Sequence, residues 1–99
     1  MTIKVVHLSL TPLAGSPIRI VKALNAHTST QARLIVLNPG AYGTRVFDND
    51  LTWAQDQDES RQLLKDADIV HFHHYFEIDD NPFGIDFRDV CKPRTCFVR

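Results

Sequence analysis

Short apolar runs and amphipathic stretches alternate along this chain. "IKVVHLSL", from Ile3 to Leu10, is an apolar run bounded by turn-forming residues, the pattern of a buried strand in a parallel sheet. After the loop "TPLAGSP", the stretch "SPIRIVKALNAH" predicts a helix. Ser16 suits the N-cap, Pro17 suits the first helical position, and Ile20, Val21 and Leu24 make an inner stripe. A second buried strand is expected from Arg33 to Leu37, stopped by Asn38-Pro39-Gly40. A short third strand is expected around Thr44 to Phe47.

"DQDESRQLLKDAD" predicts a helix with acidic residues in its first turn, where the macrodipole favours them. "DIVHFHH" predicts a strand. "NPFGIDFRDV" predicts a helix capped by Asn81 with Pro82 in first position and Phe83, Phe87 and Val90 on one face; Gly84 weakens it by roughly 1 kcal/mol relative to Ala. "TCFV" predicts a last strand. Strands that alternate with helices in this way imply an α/β fold. The expected architecture is a parallel sheet with helices on both faces, a Rossmann-like three-layer αβα domain spanning residues 1–99.

In such sheets ligands sit beyond the C-terminal ends of the strands. Two segments fall there: "TPLAGSP" after the first strand and "HHYFEIDDNP" after the fourth. The first joins Gly15 to a helix start at Ser16, where exposed backbone N–H groups favour an anion. Arg19 lies in the first helical turn, where a cation opposes the macrodipole; a bound phosphate would remove the conflict. The bland alternative is a capped helix with a solvated arginine. G-x-G-x-x-G and G-x-x-x-x-G-K-[ST] are both missing, which argues against a nicotinamide-dependent enzyme or a P-loop nucleotidase.

The second segment follows a cluster of histidines, His71, His73 and His74. Strand alternation puts His71 and His73 on one face and His74 on the other, with Val70 and Phe72 packing opposite His71 and His73. His7 would join them if the first and fourth strands are neighbours. Three readings compete. One is a zinc site, with His7 or a carboxylate from Glu77, Asp79 or Asp80 as third ligand. One is a sugar- or phosphate-binding rim in which imidazoles donate hydrogen bonds. The third is a backbone-bonded core His71 with the other two merely exposed. Tyr75, Phe76 and Phe83 offer either an aromatic platform for a sugar ring or packing under the next helix; packing is favoured for Phe76 and Phe83.

Composition narrows the classes further. A net charge of −1 offers no basic face of the kind nucleic acids require, so no nucleic-acid partner is expected. No run approaches the roughly 20 apolar residues of a membrane span, and the N-terminus is too strand-like for a secretory signal. Cys91 and Cys96, separated by four residues, fit neither redox nor zinc spacing and are expected to be reduced thiols in a cytoplasmic protein.

"KVVHLSLTPLAGSPIRIVKALN" resembles the opening of GT-B glycosyltransferases of the family-4, glycogen-synthase-like type: a buried strand, a small-residue loop with glycine, then a helix. "LLKDADIVHFHHYF" resembles that family's "aDivHvH" strand, and "KPRTCFV" resembles its next strand. The likeness spans nearly all of this chain and about the first third of such an enzyme. It implies the acceptor-side part of the N-terminal domain of an enzyme that moves a sugar from a nucleotide-sugar donor to a glycan or lipid-linked acceptor. By position, Gly15 and Ser16 would face the donor diphosphate, and His73 and His74 would lie by the acceptor and the transferred sugar.

Substrate-binding candidates are therefore Gly15, Ser16, Arg19, His73, His74 and Tyr75. No catalytic residue, metal or cofactor is assigned. The family's paired glycines are here Ala14-Gly15-Ser16, and its donor-binding second domain is missing, so this stretch is expected to be inactive alone. Partners are then the donor, the acceptor, and either the missing domain or a second copy at the edge strand; peripheral membrane contact by the full enzyme is compatible with this. The alternatives are a non-catalytic binding or regulatory module with half a Rossmann sheet, and a histidine-based metal-dependent hydrolase.

Overall fold

The computed structural model describes residues 3–10, 16–37, 51–73 and 77–98. Their elements, in chain order, are β1 (Lys4–Ser9), α1 (Ser16–His27), β2 (Gln31–Val36), β3 (Leu51–Thr52), α2 (Gln57–Asp66), β4 (Ile69–Phe72), α3 (Phe87–Val90) and β5 (Cys96–Val98). The strands form one five-stranded sheet in the order β3-β2-β1-β4-β5, and every pairing is parallel. The expected Rossmann-like α/β architecture is therefore present. The chain starts in the middle of the sheet, builds outward to β3, then crosses back to place β4 on the other side of β1. That reversal creates a switch point between β1 and β4.

The two faces bury different amounts of apolar surface. On one, Val6, Leu8, Ile35, Val70 and Phe72 of the sheet pack with Leu64 of α2, Phe87 of α3, and Trp53 and Phe83. The Phe72 and Phe87 rings lie 5.3 Å apart, and Trp53 meets Phe83 edge-on at 5.5 Å, geometries that suit the aromatic quadrupole. On the other face, Val21 and Leu24 of α1 cover Ala32, Leu34 and Val36 of β2. Asn25 fixes this helix to the sheet. Its side-chain amide donates to the Ala32 carbonyl at 2.9 Å, and its Oδ1 accepts from the Ala32 N–H at 2.7 Å. The end of α1 is thus held at the rim where β2 begins. Its twelve residues, about 18 Å long, then put its start near the opposite rim, where the strands end.

Several boundaries differ from the sequence reading. Ile20, assigned to the inner stripe of α1, is 40% exposed, because Val21 and Leu24 face β2 and Ile20 sits to their side. β2 begins two residues earlier than expected and ends at Val36. The strand expected around Thr44 to Phe47 lies outside the described residues; the third described strand is Leu51–Thr52.

The helix expected from Asn81 is a loop until Phe87. Gly84 takes φ +70, which a right-handed helix does not allow. Asn81 Nδ2 donates to the carbonyls of Glu77, Ile78 and Ile85, while its Oδ1 accepts from Phe83 N–H, so its amide organises a turn in place of a helix cap. Asp86 caps α3 instead, accepting from Arg88 N–H at 2.9 Å. Cys91 and Cys96 are free thiols, and burial pushes the Cys91 thiol up to about 11.

Replacing Asn25 with Ala leaves both polar groups of Ala32 without their partner. It is expected to cost about 1–3 kcal/mol in urea unfolding, against less than about 0.5 kcal/mol for Ile20→Ala. Equal losses in the two variants would contradict the packing described for α1.

Candidate functional site

Register decides which side chains meet at the switch point. His7 of β1 pairs with Leu34 of β2 on one side and with His71 of β4 on the other, and His71 pairs with Val98 of β5. The row Leu34–His7–His71–Val98 therefore crosses the sheet on the face that carries α1. The backbone N–H of His73 donates to the Leu8 carbonyl at 2.9 Å, extending the parallel ladder beyond the end of β4. The pleat consequently returns His73 to the face of His71, as strand alternation requires.

The imidazoles touch. The ring centroids of His71 and His73 are 4.5 Å apart with the planes 25° from parallel, and those of His7 lie 5.2 Å from His71 and 5.1 Å from His73. His7 Nδ1 and His73 Nε2 share a hydrogen bond at 2.9 Å. One ring nitrogen from each histidine falls within 4.8 Å of the others. His7 forms the floor at 2% exposure, while His71 and His73 are half-buried and reach the surface. The other nitrogen of His7, Nε2, is buried without a hydrogen-bond partner among the described residues.

Electrostatics follow from that placement. Burial, and then the imidazoles of His73 and His71, hold His7 down to about 4 from its ordinary 6.5. At neutral pH it is an uncharged base. In chemical terms the cluster offers imidazole nitrogens for a hydrogen-bonding ligand or a metal ion, at the end of the sheet where Rossmann-like folds bind ligands.

The remaining predicted site residues fall as follows. Ser16 opens α1 and Arg19 is exposed in its first turn, which contains no acidic residue. Gly15, His74 and Tyr75 lie outside the described residues, as does Phe76. Phe83 is buried in the core against Trp53 and Phe87, the packing role favoured for it. Asp79 and Asp86 both pair with Arg88, at 3.2 and 3.0 Å, so these acids do not form a catalytic dyad. The hydrogen bond from Arg88 holds the Asp86 carboxyl below its ordinary value.

His7 is expected beside His71 and His73 if the first and fourth strands are neighbours; β1 and β4 do pair, and the three rings come into contact. Strand alternation alone puts His71 and His73 on one face, and the register of β1 against β4 adds His7 to them. Two surface concavities, one lined by Lys4, Asn25 and Gln31 and another by Asp68, Lys92 and Arg94, lie at the opposite rim and take no part in the cluster. Compared with protein-family models, with curated proteins and with solved structures, the chain finds no match in any of the three.

The depressed basicity of His7 makes folding depend on pH. In metal-free buffer the unfolded chain protonates this side chain near 6.5, whereas the folded chain resists until about 4. The unfolded state therefore binds more protons between those values. The stability held in neutral His7 is complete above pH 6.5 and is lost as the pH falls toward 4, by up to about 3 kcal/mol. His7→Leu is expected to flatten the decline of the urea midpoint over that range. Identical slopes for the two proteins would show that His7 does not titrate as described.

Proposed function

We propose that the chain is the acceptor-side part of a GT-B glycosyltransferase, acting with a donor-binding domain to move a sugar from a nucleotide-sugar to a glycan or lipid-linked acceptor. The observation that carries the reading is the convergence at one rim of the start of α1 and the histidine cluster, across the switch point between β1 and β4. The motif resemblance from Lys4 to Val98 supplies the reaction class; the fold alone would not, since Rossmann-like sheets serve many chemistries.

Each part has a physical role in this proposal. The start of α1, with the positive end of its dipole and Arg19, receives the negative charge of the donor diphosphate. His73 donates or accepts a hydrogen bond at a sugar hydroxyl, with its ring oriented by the bond to His7. Neutral imidazoles suit hydroxyl recognition because they both donate and accept. The half-exposed rings of His71 and His73 give a sugar access to the polar floor.

In the natural protein that carries this chain together with a donor domain, Arg19→Ala is expected to lower kcat/KM for the nucleotide-sugar about tenfold, the scale of one charge-assisted contact, with the melting temperature nearly unchanged. Equal kinetics in variant and wild type would remove Arg19 from the site. For the 99-residue chain alone, calorimetry with nucleotide-sugars is expected to show weak binding or none. Tight binding, or turnover by the isolated chain, would contradict the division of labour proposed here.

A further inference from the structure

We propose that His7, His71 and His73 form a binding site for a divalent ion of the zinc type, with three imidazole ligands and a fourth position open to solvent. This inference stands apart from the sugar-transfer reading and needs only the three rings and the strands that carry them.

The donor set comes first. Each histidine contributes one nitrogen to a group that spans no more than 4.8 Å, and among the described residues no carboxylate belongs to it. A tetrahedral zinc site with Zn–N bonds of about 2.0–2.1 Å needs its ligand nitrogens about 3.3 Å apart. The His7–His73 nitrogen pair at 2.9 Å is already at that scale. Small rotations of His71 and His73, both half-buried, would bring the third nitrogen in. An all-imidazole set suits zinc, copper and nickel and does not suit calcium or magnesium, which take oxygen ligands.

The backbone is pre-arranged for this. His7 and His71 are paired residues on hydrogen-bonded parallel strands, and the His73 amide is tied to Leu8. Little chain entropy remains to be lost on binding, because neighbouring strands already hold the ligands side by side.

The hydrogen-bond inventory of His7 is the second observation. A neutral imidazole has one N–H and one lone pair. If His7 Nδ1–H donates to His73, the buried Nε2 is a bare lone pair; if His73 donates, Nε2 carries a buried N–H with no acceptor. Either arrangement leaves a sealed polar atom without a partner among the described residues, which ordinary cores avoid. A metal on the His7 Nδ1–His73 Nε2 side would take those two lone pairs in place of the shared proton, leaving the ring protons on His7 Nε2 and His73 Nδ1. With His7 as floor and the other two rings at the surface, the fourth coordination position opens to water or a ligand, the arrangement of three-ligand zinc sites that bind substrate.

The test uses the untagged chain stripped of metal with a chelator and titrated with zinc and, separately, with cobalt(II). The expected result is one zinc per chain by calorimetry, with a visible ligand-field spectrum of tetrahedral cobalt displaced by zinc. His71→Ala and His73→Ala are each expected to weaken zinc binding at least roughly tenfold while circular dichroism stays that of the folded chain, and His27→Ala, on the exposed end of α1, to leave it unchanged. His7 is not the residue to remove, because its burial ties it to folding. A wild-type chain that takes up no zinc would overturn the proposal. So would equal zinc affinity in wild type and a folded His71→Ala/His73→Ala double variant.

Discussion

The pairing of β1 with β4 is the contact on which the rest depends. These strands are more than sixty residues apart in sequence, yet four successive pairs, from Val5–Ile69 to Leu8–Phe72, bring them into parallel register. On one face that register places Val6 and Leu8 beside Val70 and Phe72, all at or near zero exposure, and so builds the centre of the larger core. On the other face it sets His7 against His71. A shift of one residue would turn the histidines into the aromatic core and expose Val70 and Phe72, exchanging apolar burial for buried polar groups. The apolar side of the sheet therefore enforces the polar side.

The cluster follows from this constraint and carries a cost. A buried imidazole among two others is a poor place for a proton, so His7 is held neutral, and among the described residues one of its nitrogens has no partner. Valine or leucine at position 7 would remove that cost; the pair His7–His71 lies in one row between Leu34 and Val98, both apolar. A polar group retained between apolar neighbours, at the rim where such sheets bind ligands, is the kind of local exception expected of a functional position. The sugar-transfer and metal-ion proposals use this exception differently, one through hydroxyl recognition and the other through coordination.

The sequence was legible where periodicity and burial agree. The runs "IKVVHLSL" and "ARLIVL" are apolar on both faces because both faces are covered, which is why parallel strands could be read from them. His71 and His73 could be placed on one face by counting alone. Legibility failed where a few side chains decide the backbone. Nothing periodic separates Phe83 and Phe87 on a helix from the same pair on a loop and a short helix; the difference lies in the Asn81 amide and the positive φ of Gly84. Ile20 looked interior because a stripe on a helix has a soft edge, and only the angle at which α1 meets β2 fixes that edge. His7 joins them only because β1 and β4 are neighbours, an expectation that comes from the usual order of such sheets and not from any local pattern.

The central claim is that β1 and β4 lie side by side and put the ring of His7 against those of His71 and His73. It is tested most directly by nuclear magnetic resonance on the chain with its imidazole nitrogens labelled, in metal-free buffer at neutral pH. The account predicts a scalar coupling across the hydrogen bond between His7 Nδ1 and His73 Nε2, together with ring-proton contacts from His7 to His71. A His7 ring that shows neither the coupling nor contacts to either histidine would contradict it.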